Sequence, residues 1–254
     1  MLPPELPSPV SLPWTEALRS IGEVVARAMQ AFGANVLPSV VALAEGIRKL
    51  PDELRPMVRS LAERGWFISG EMGMSELRQF QHLSGSSTPE KLDAMLAQWI
   101  ENEIDRIYAT AVQYFPKRQA ILAAAFNAHK TGVYELSIPV LLIQVEGMCI
   151  EILGRKLFAT KDGIPRTKEA TDALINGAFS EVIFLPLREA NGLTASDNTR
   201  SNWPNSPNRH EILHGISTEY PSKLNSQKAL SLLEYFVTFV AAEKAEAPSG
   251  TSAA

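Results

Sequence analysis

The chain has 254 residues, 45% of them apolar, with a net charge of −4 and a pI near 5.7. That is enough chain to bury a core, and the charge balance excludes a broadly basic surface, so any nucleic-acid contact must be local. Cys149 is the one cysteine, which excludes an internal disulfide and fits a reducing compartment. The opening MLPPELPSPV has neither the basic region nor the apolar core of a signal peptide. No uncharged apolar run reaches the length of a membrane span. The expectation is a soluble, cytoplasmic protein with no membrane partner.

Residues 1–13 carry five prolines and read as an extended leader. Residues 14–84 then form a helical extension, with helical patterns over WTEALRSIGEVVARAMQAF, PSVVALAEGIRKL, DELRPMVRSLAERG and SELRQFQHL. SGSSTP reads as a linker in which Thr88 caps the next helix and Pro89 takes its first position. That helix has the clearest period in the chain: Leu92, Met95, Leu96, Trp99, Ile107, Ala111 and Phe115 recur at spacings of three and four, and Pro116 ends it.

A shorter helix follows and closes at Gly132. Ser137 is then a candidate cap for SIPVLLIQVEGMCIEIL, which is apolar nearly all round and belongs at the centre of a bundle. GRKLFATKDGIPRTK is a polar loop or a short hairpin, and a further helix is expected over about 167–190. Residues 191–208 form a long loop rich in Asn, Ser and Pro. The last helix covers KLNSQKALSLLEYFVTFVAAEKA, and residues 245–254 are expected to form a disordered tail. Strand signals are confined to WFIS and KLFAT. The fold class is therefore all-α, a helical bundle over 89–244 with an N-terminal helical extension.

The chemistry concentrates in NSPNRHEILHGISTEY, residues 205–220. With Ser206 as cap and Pro207 in the first position, a helix starts at 207. Advancing about 100° per residue from Arg209 puts His210 near 100° and His214 near 140°, on one face, while Leu213, Ile216 and Ile212 share another. Arg209 falls at the edge of the apolar face, where a charge requires a partner such as a carboxylate, a phosphate or a second subunit. Glu103, on the inner stripe of its helix, and Glu146, in the buried central helix, are the carboxylates that could supply it.

Two chemistries fit this stretch. HEILH has the spacing of a zinc hydrolase: His210 and His214 as ligands, Glu211 as general base, and Glu234, 20 residues beyond His214, as third ligand, a spacing that resembles the gluzincin arrangement. No third histidine stands six residues beyond His214, where the sequence has Tyr220. RHEILH fits metal-free RNA cleavage, in which a base takes the 2′-hydroxyl proton and a cation steadies the phosphorane. Histidine suits the first task at neutral pH and the arginine fork suits the second.

The run NRHEILHG, with Tyr220, Asn225 and Ser226, Lys228 and Ala229, and LLEY at 232–235, resembles the C-terminal end of HEPN-superfamily proteins. YELSIPVLLIQVEGM resembles the buried helix these proteins place before their R-x4–6-H motif. The likeness covers about residues 89–244 and leaves the first 85 uncovered. It departs from the usual pattern in having His210 where Asn normally follows the Arg.

The resemblance implies an α-helical, metal-independent endoribonuclease without a cofactor, from a superfamily that includes toxins, abortive-infection proteins and RNA-processing factors. Arg209 would hold the phosphate and His214 would act as general base or acid. His210 would support them, as would Asn208, Glu146, Glu103 and Tyr220. It also implies RNA as substrate, a homodimer and a cognate antitoxin or defence-system partner. Arg155, Lys156, Lys161, Arg166 and Lys168 form a basic loop that could meet RNA phosphates. The alternatives are a zinc peptidase built on His210, His214 and Glu234, and a non-catalytic dimerising or RNA-binding module.

Overall fold

The apolar stripe of residues 89–115 sets the frame. In a computed structural model that describes residues 22–24, 27, 37–85, 89–192, 194–195 and 199–246, this stripe becomes one long helix. The proline-rich leader, most of the 14–32 pattern, the cap at Thr88 and the last eight residues lie outside the described residues. The described chain is all-α, with one two-residue strand pair.

The helices are α1 (Leu37–Glu63), α2 (Met74–Ser84), α3 (Pro89–Tyr114), α4 (Gln119–Lys130) and α5 (Tyr134–Leu153), then the short α6 (Lys168–Asp172), α7 (Ala178–Ile183), α8 (Leu185–Arg188) and α9 (Arg209–Leu213). The chain ends in α10 (Lys223–Tyr235), a π-helical segment over Phe236–Ala241 and α11 (Ala242–Glu246). α10 packs against both α3 and α5, and α4 lies against α5. α1 covers α7 and α8, and α2 bridges α1 to α3. Leu54, Met57, Trp66 and Phe80 share one buried core with Leu96, Leu141, Leu233 and Phe236, so residues 50–80 complete the core of the bundle.

Several elements differ from the sequence reading for identifiable reasons. The two patterns on either side of Pro51 merge into α1, which carries Pro51 and Pro56 inside it. Each proline removes a backbone donor, but Leu50, Leu54, Met57, Val58 and Leu61 bury one continuous face and hold the helix together. The expected helix over 167–190 divides into α6, α7 and α8, with Asn176–Gly177 between the first two and Pro186 opening the third.

WFIS is not a strand. Its backbone donors go elsewhere than to a neighbouring strand: Trp66 N to Leu61 O at 2.9 Å, Phe67 N to Ser231 Oγ at 3.3 Å, Ser69 N to Met72 Sδ at 3.4 Å and, just beyond it, Gly70 N to Thr238 Oγ1 at 3.1 Å. The loop after α5 does form a hairpin: β1 (Thr160–Lys161) pairs antiparallel with β2 (Ile164–Pro165). Its turn places Asp162 and Gly163 at positive φ.

α5 starts at Tyr134, so Ser137 lies inside it and not at its cap. α5 is the described helix that is long and apolar enough to cross a membrane by length and composition, and here it packs inside the bundle. It is not buried all round: Leu136, Ile143 and Ile150 stand 59, 51 and 45% exposed on its outer face. They recur every seven residues, which keeps them on one line along the helix.

Candidate functional site

The helix that carries the RHEILH sequence is short and firmly held. Asn208, not Ser206, is its cap: the Asn208 side chain accepts from Glu211 N at 3.1 Å, and the helix starts at Arg209. Ser206 cannot serve because it is buried against two glycines. A Cβ on Gly65 would lie 2.9 Å from Ser206 Oγ and 2.8 Å from Pro207 Cδ, and a Cβ on Gly192 would collide with Ser206 itself.

After one and a half turns the helix closes at Gly215, whose φ of +70° lets Ile216 N reach Glu211 O at 2.8 Å and Gly215 N reach Ile212 O at 3.2 Å. This is the Schellman closure that glycine favours. Ile212 drives into the core. Arg200 donates to the carbonyl of Trp203 and pairs with Glu211 Oε2 at 3.3 Å, tying the preceding loop to the helix.

Lys228 holds the same loop from below. Its ammonium donates to Asn205 O at 2.7 Å and lies 5.8 Å from the centroid of Trp66. Burial pushes the Lys228 amine down to about 8, partly countered by the charge of Asp93. Downstream, Tyr220 donates to Glu135 O at 3.0 Å and receives Asn225 Nδ2 on its carbonyl at 2.9 Å. Tyr220 therefore anchors the exit of the motif to α5.

Arg209 packs where its position on the helix requires, against an apolar surface. Its guanidinium carbon lies 5.0 Å from the centroid of the Phe158 ring. Its Nε is buried there without a hydrogen-bond partner, and no ion pair among the described residues includes Arg209. Neither expected carboxylate bonds it. Glu103 pairs with Arg106 at 2.6 Å. Glu146 instead receives Phe158 N at 3.2 Å and so holds the ring on which Arg209 rests.

His210 and His214 come together as the helix geometry predicts, with ring centroids 4.3 Å apart and a tilt of 52°. His214 is exposed and His210 half-buried. The basic segment adjoins this group through Phe158, which sits two residues after Lys156 and three before Lys161. Arg155, Lys156, Lys161 and Arg166 are exposed, Lys168 is half-buried, and Arg155 lies 3.7 Å from Glu169.

The third zinc ligand is not delivered. Glu234 is 1% exposed in the core, where its Oε1 accepts from Ser69 Oγ at 2.5 Å and from Arg106 Nη2 at 2.8 Å. The helix carrying Glu234 turns it toward α3 and the 66–73 segment, away from the motif. Glu211, the base of that scheme, is held by Arg200. Among the described residues no group of three His, Cys, Asp or Glu side chains could hold a metal ion.

A second polar chain runs through the core. Glu101 Oε1 and Ser226 Oγ flank the two nitrogens of His129 at 3.0 and 2.8 Å, and Ser137 Oγ lies 2.9 Å from Ser226 Oγ. It has the order of a hydrolytic triad, but both hydroxyls are fully buried, so no substrate reaches them. Desolvation lowers the pKa of His129, which favours its neutral form.

The sequence reading missed Phe158, Arg200 and Lys228. Phe158 and Arg200 lie in loops where no period marks them. Lys228 entered the sequence reading only as part of the resembling run, on a helical face that also carries Asn225 and Ser231 and so did not mark it out. Comparison with family models, curated proteins and solved structures found no match for this chain.

Proposed function

We propose that this chain is a metal-independent endoribonuclease of the HEPN type. The observation that carries the proposal is the grouping on α9 and its C-terminal cap residue: an arginine that enters no ion pair among the described residues and rests on Phe158, next in sequence to the first of two imidazoles whose rings are in near contact. An arginine on an aromatic ring keeps its charge and its planar fork for a phosphate. Imidazole takes or gives a proton at neutral pH. These are the two functions that cleavage next to a 2′-hydroxyl requires.

In this reading Arg209 holds the scissile phosphate and His214, the more exposed imidazole, is the general base or acid. His210 supports it. Asn208 and Tyr220 fix the helix that carries them, and Glu146 acts through Phe158. Glu103, bound to Arg106, has no part in the site. The hairpin cations Arg155, Lys156, Lys161, Arg166 and Lys168 extend the phosphate track, and their local charge accommodates an acidic chain.

A homodimer completes the proposal. The exposed Leu136, Ile143 and Ile150 line supports it, since a helix face of that kind is commonly covered. A cytoplasmic setting in phage defence or a toxin pair, with a cognate antitoxin, follows from the resemblance.

The test is cleavage of single-stranded RNA by the full chain in the presence of a chelator, with products read for a 2′,3′-cyclic phosphate and a 5′-hydroxyl. Arg209→Ala and His214→Ala should each lower the rate by roughly 10²-fold or more, the usual range for such groups. Unchanged cleavage in Arg209→Ala would remove this mechanism. RNA binding without cleavage in the wild type would leave a binding module.

A further inference from the structure

We propose that His210 and His214 form a two-imidazole half-site for a transition-metal dication, and that Zn²⁺ bound there silences the ribonuclease site. The silencing role rests on the function proposed above, whereas the binding does not.

The geometry carries the inference. Two imidazoles four residues apart on a helical turn can present nitrogens to a common point, and here His210 lies in α9 while His214 is its C-terminal cap residue. With metal–nitrogen distances of about 2.0–2.1 Å, two rings on one ion hold their centroids roughly 4.5–5.2 Å apart, for angles at the metal between square and tetrahedral. The His210 and His214 centroids are already 4.3 Å apart, tilted by 52°. That separation falls just short of the range, and His214 is exposed, so its ring would have to rotate to meet an ion.

The surroundings define what kind of site this is. The backbone between the two histidines is fixed at both ends, by the Asn208 cap and the Gly215 closure. Glu211 faces Arg200 and is not a third ligand, and Glu234 is committed to Arg106 and Ser69. Structural zinc sites are closed by four protein ligands. A site with two leaves the remaining positions to water or to oxygens of an RNA phosphate, so it binds reversibly. Imidazole donors select the nitrogen-preferring end of the first transition series.

Zn²⁺ there would occupy the nitrogen lone pair with which His214 accepts a proton. The ion would also stand beside Arg209, where its charge competes for the scissile phosphate. A ligand set that looks like half of a hydrolytic zinc centre is in this reading an inhibitory switch.

The experiment is titration calorimetry of ZnCl₂ into the tag-free full chain without RNA, in a buffer that does not chelate. His210→Ala, His214→Ala and His82→Ala are run beside the wild type, with circular dichroism to show that each is folded. The expected result is one ion per chain in the wild type and in His82→Ala, and at least a tenfold loss of affinity in each of the other two variants. His210→Gln and His214→Gln, which keep polar side chains on the helix, should show the same loss. Equal zinc affinity in wild type, His210→Ala and His214→Ala would overturn the site. Because this arm contains no RNA, its failure is distinct from failure of the ribonuclease reading. In the second arm, saturating Zn²⁺ should stop RNA cleavage and a chelator should restore it. Full-rate cleavage with the site loaded would overturn the silencing role.

Discussion

The guanidinium of Arg209 rests on the ring of Phe158, 5.0 Å from its centroid, although the two residues are 51 positions apart in the chain. The contact explains how a charged residue sits at the edge of an apolar helix face without a carboxylate. It also divides the side chain, since the Nε is buried without a partner while no hydrogen bond among the described residues engages the rest of the guanidinium, which under the proposed function takes an anion. A cation over an aromatic face gains about 0.5–2 kcal/mol. Phe158→Leu keeps most of the volume and removes the ring quadrupole. Under the proposed ribonuclease function it is expected to lower kcat/KM on RNA by about tenfold while the urea midpoint shifts little. Arg209→Lys, which loses both the fork and the flat stacking surface, is expected to be worse than Phe158→Leu. Equal activity of Phe158→Leu and wild type would show that the ring does not position the arginine.

The buried pair Arg106 and Glu234 makes a prediction about stability. Glu234 is almost wholly enclosed, and desolvation raises its pKa despite the opposing charge of Arg106. Arg106 is partly exposed and has a second carboxylate in Glu103. Removal of the two partners is therefore unequal. Arg106→Ala strands a carboxylate in the core and is expected to cost about 3–5 kcal/mol, the range for breaking a buried pair. Glu234→Gln leaves Arg106 its bond to Glu103 and its access to water, and is expected to cost clearly less. Urea unfolding of the two variants at neutral pH measures the difference. A larger loss in Glu234→Gln would contradict this account.

The parts of the fold that were legible in the sequence are those fixed by local period. α3 announces itself through Leu92, Leu96, Trp99, Ile107 and Ala111, all buried as the spacing requires, whereas Met95 of the same stripe is exposed and Phe115 lies just past the helix end. The shared face of His210 and His214 follows from the same 3.6-residue rule. The cap was misplaced because Ser206 and Asn208 are both good capping residues, and tertiary contacts decide between them. Ser206 is wedged between Gly65 and Gly192, which leaves Asn208 to cap. Long-range pairings had no local signal at all: nothing in LFAT says that Phe158 lies under Arg209. The π-helical segment over Phe236–Ala241 is equally silent, because its residues would fit an α-helix as well. There Thr238 Oγ1 donates to Glu234 O at 2.8 Å and receives Gly70 N, contacts that only the folded chain supplies.

Lys228 gives a pH dependence with a definite sign. Burial lowers its amine to about 8, against 10.5 for the ordinary side chain. Between those values the unfolded chain binds the proton and the folded chain does not, so stability rises with pH. Below pH 8 both states are protonated, and the penalty for burying the charge is constant and complete. The gain available across the window is at most about 3 kcal/mol. Lys228→Met keeps the length of the stem, removes the charge and gives up the bond to Asn205 O. Cys149, whose buried thiol is pushed up to about 12, acts in the opposite direction over the same window in both proteins, so the stability of the wild type relative to Lys228→Met, and not the wild-type value alone, should climb from pH 7.5 to 9.5 in urea unfolding. The range stops short of pH 10 because Tyr235, fully buried with its pKa raised, acts in the opposite direction once unfolded tyrosine ionises. Equal slopes for the two proteins would mean that Lys228 keeps its proton throughout, stabilised by the Asn205 carbonyl and the Trp66 ring.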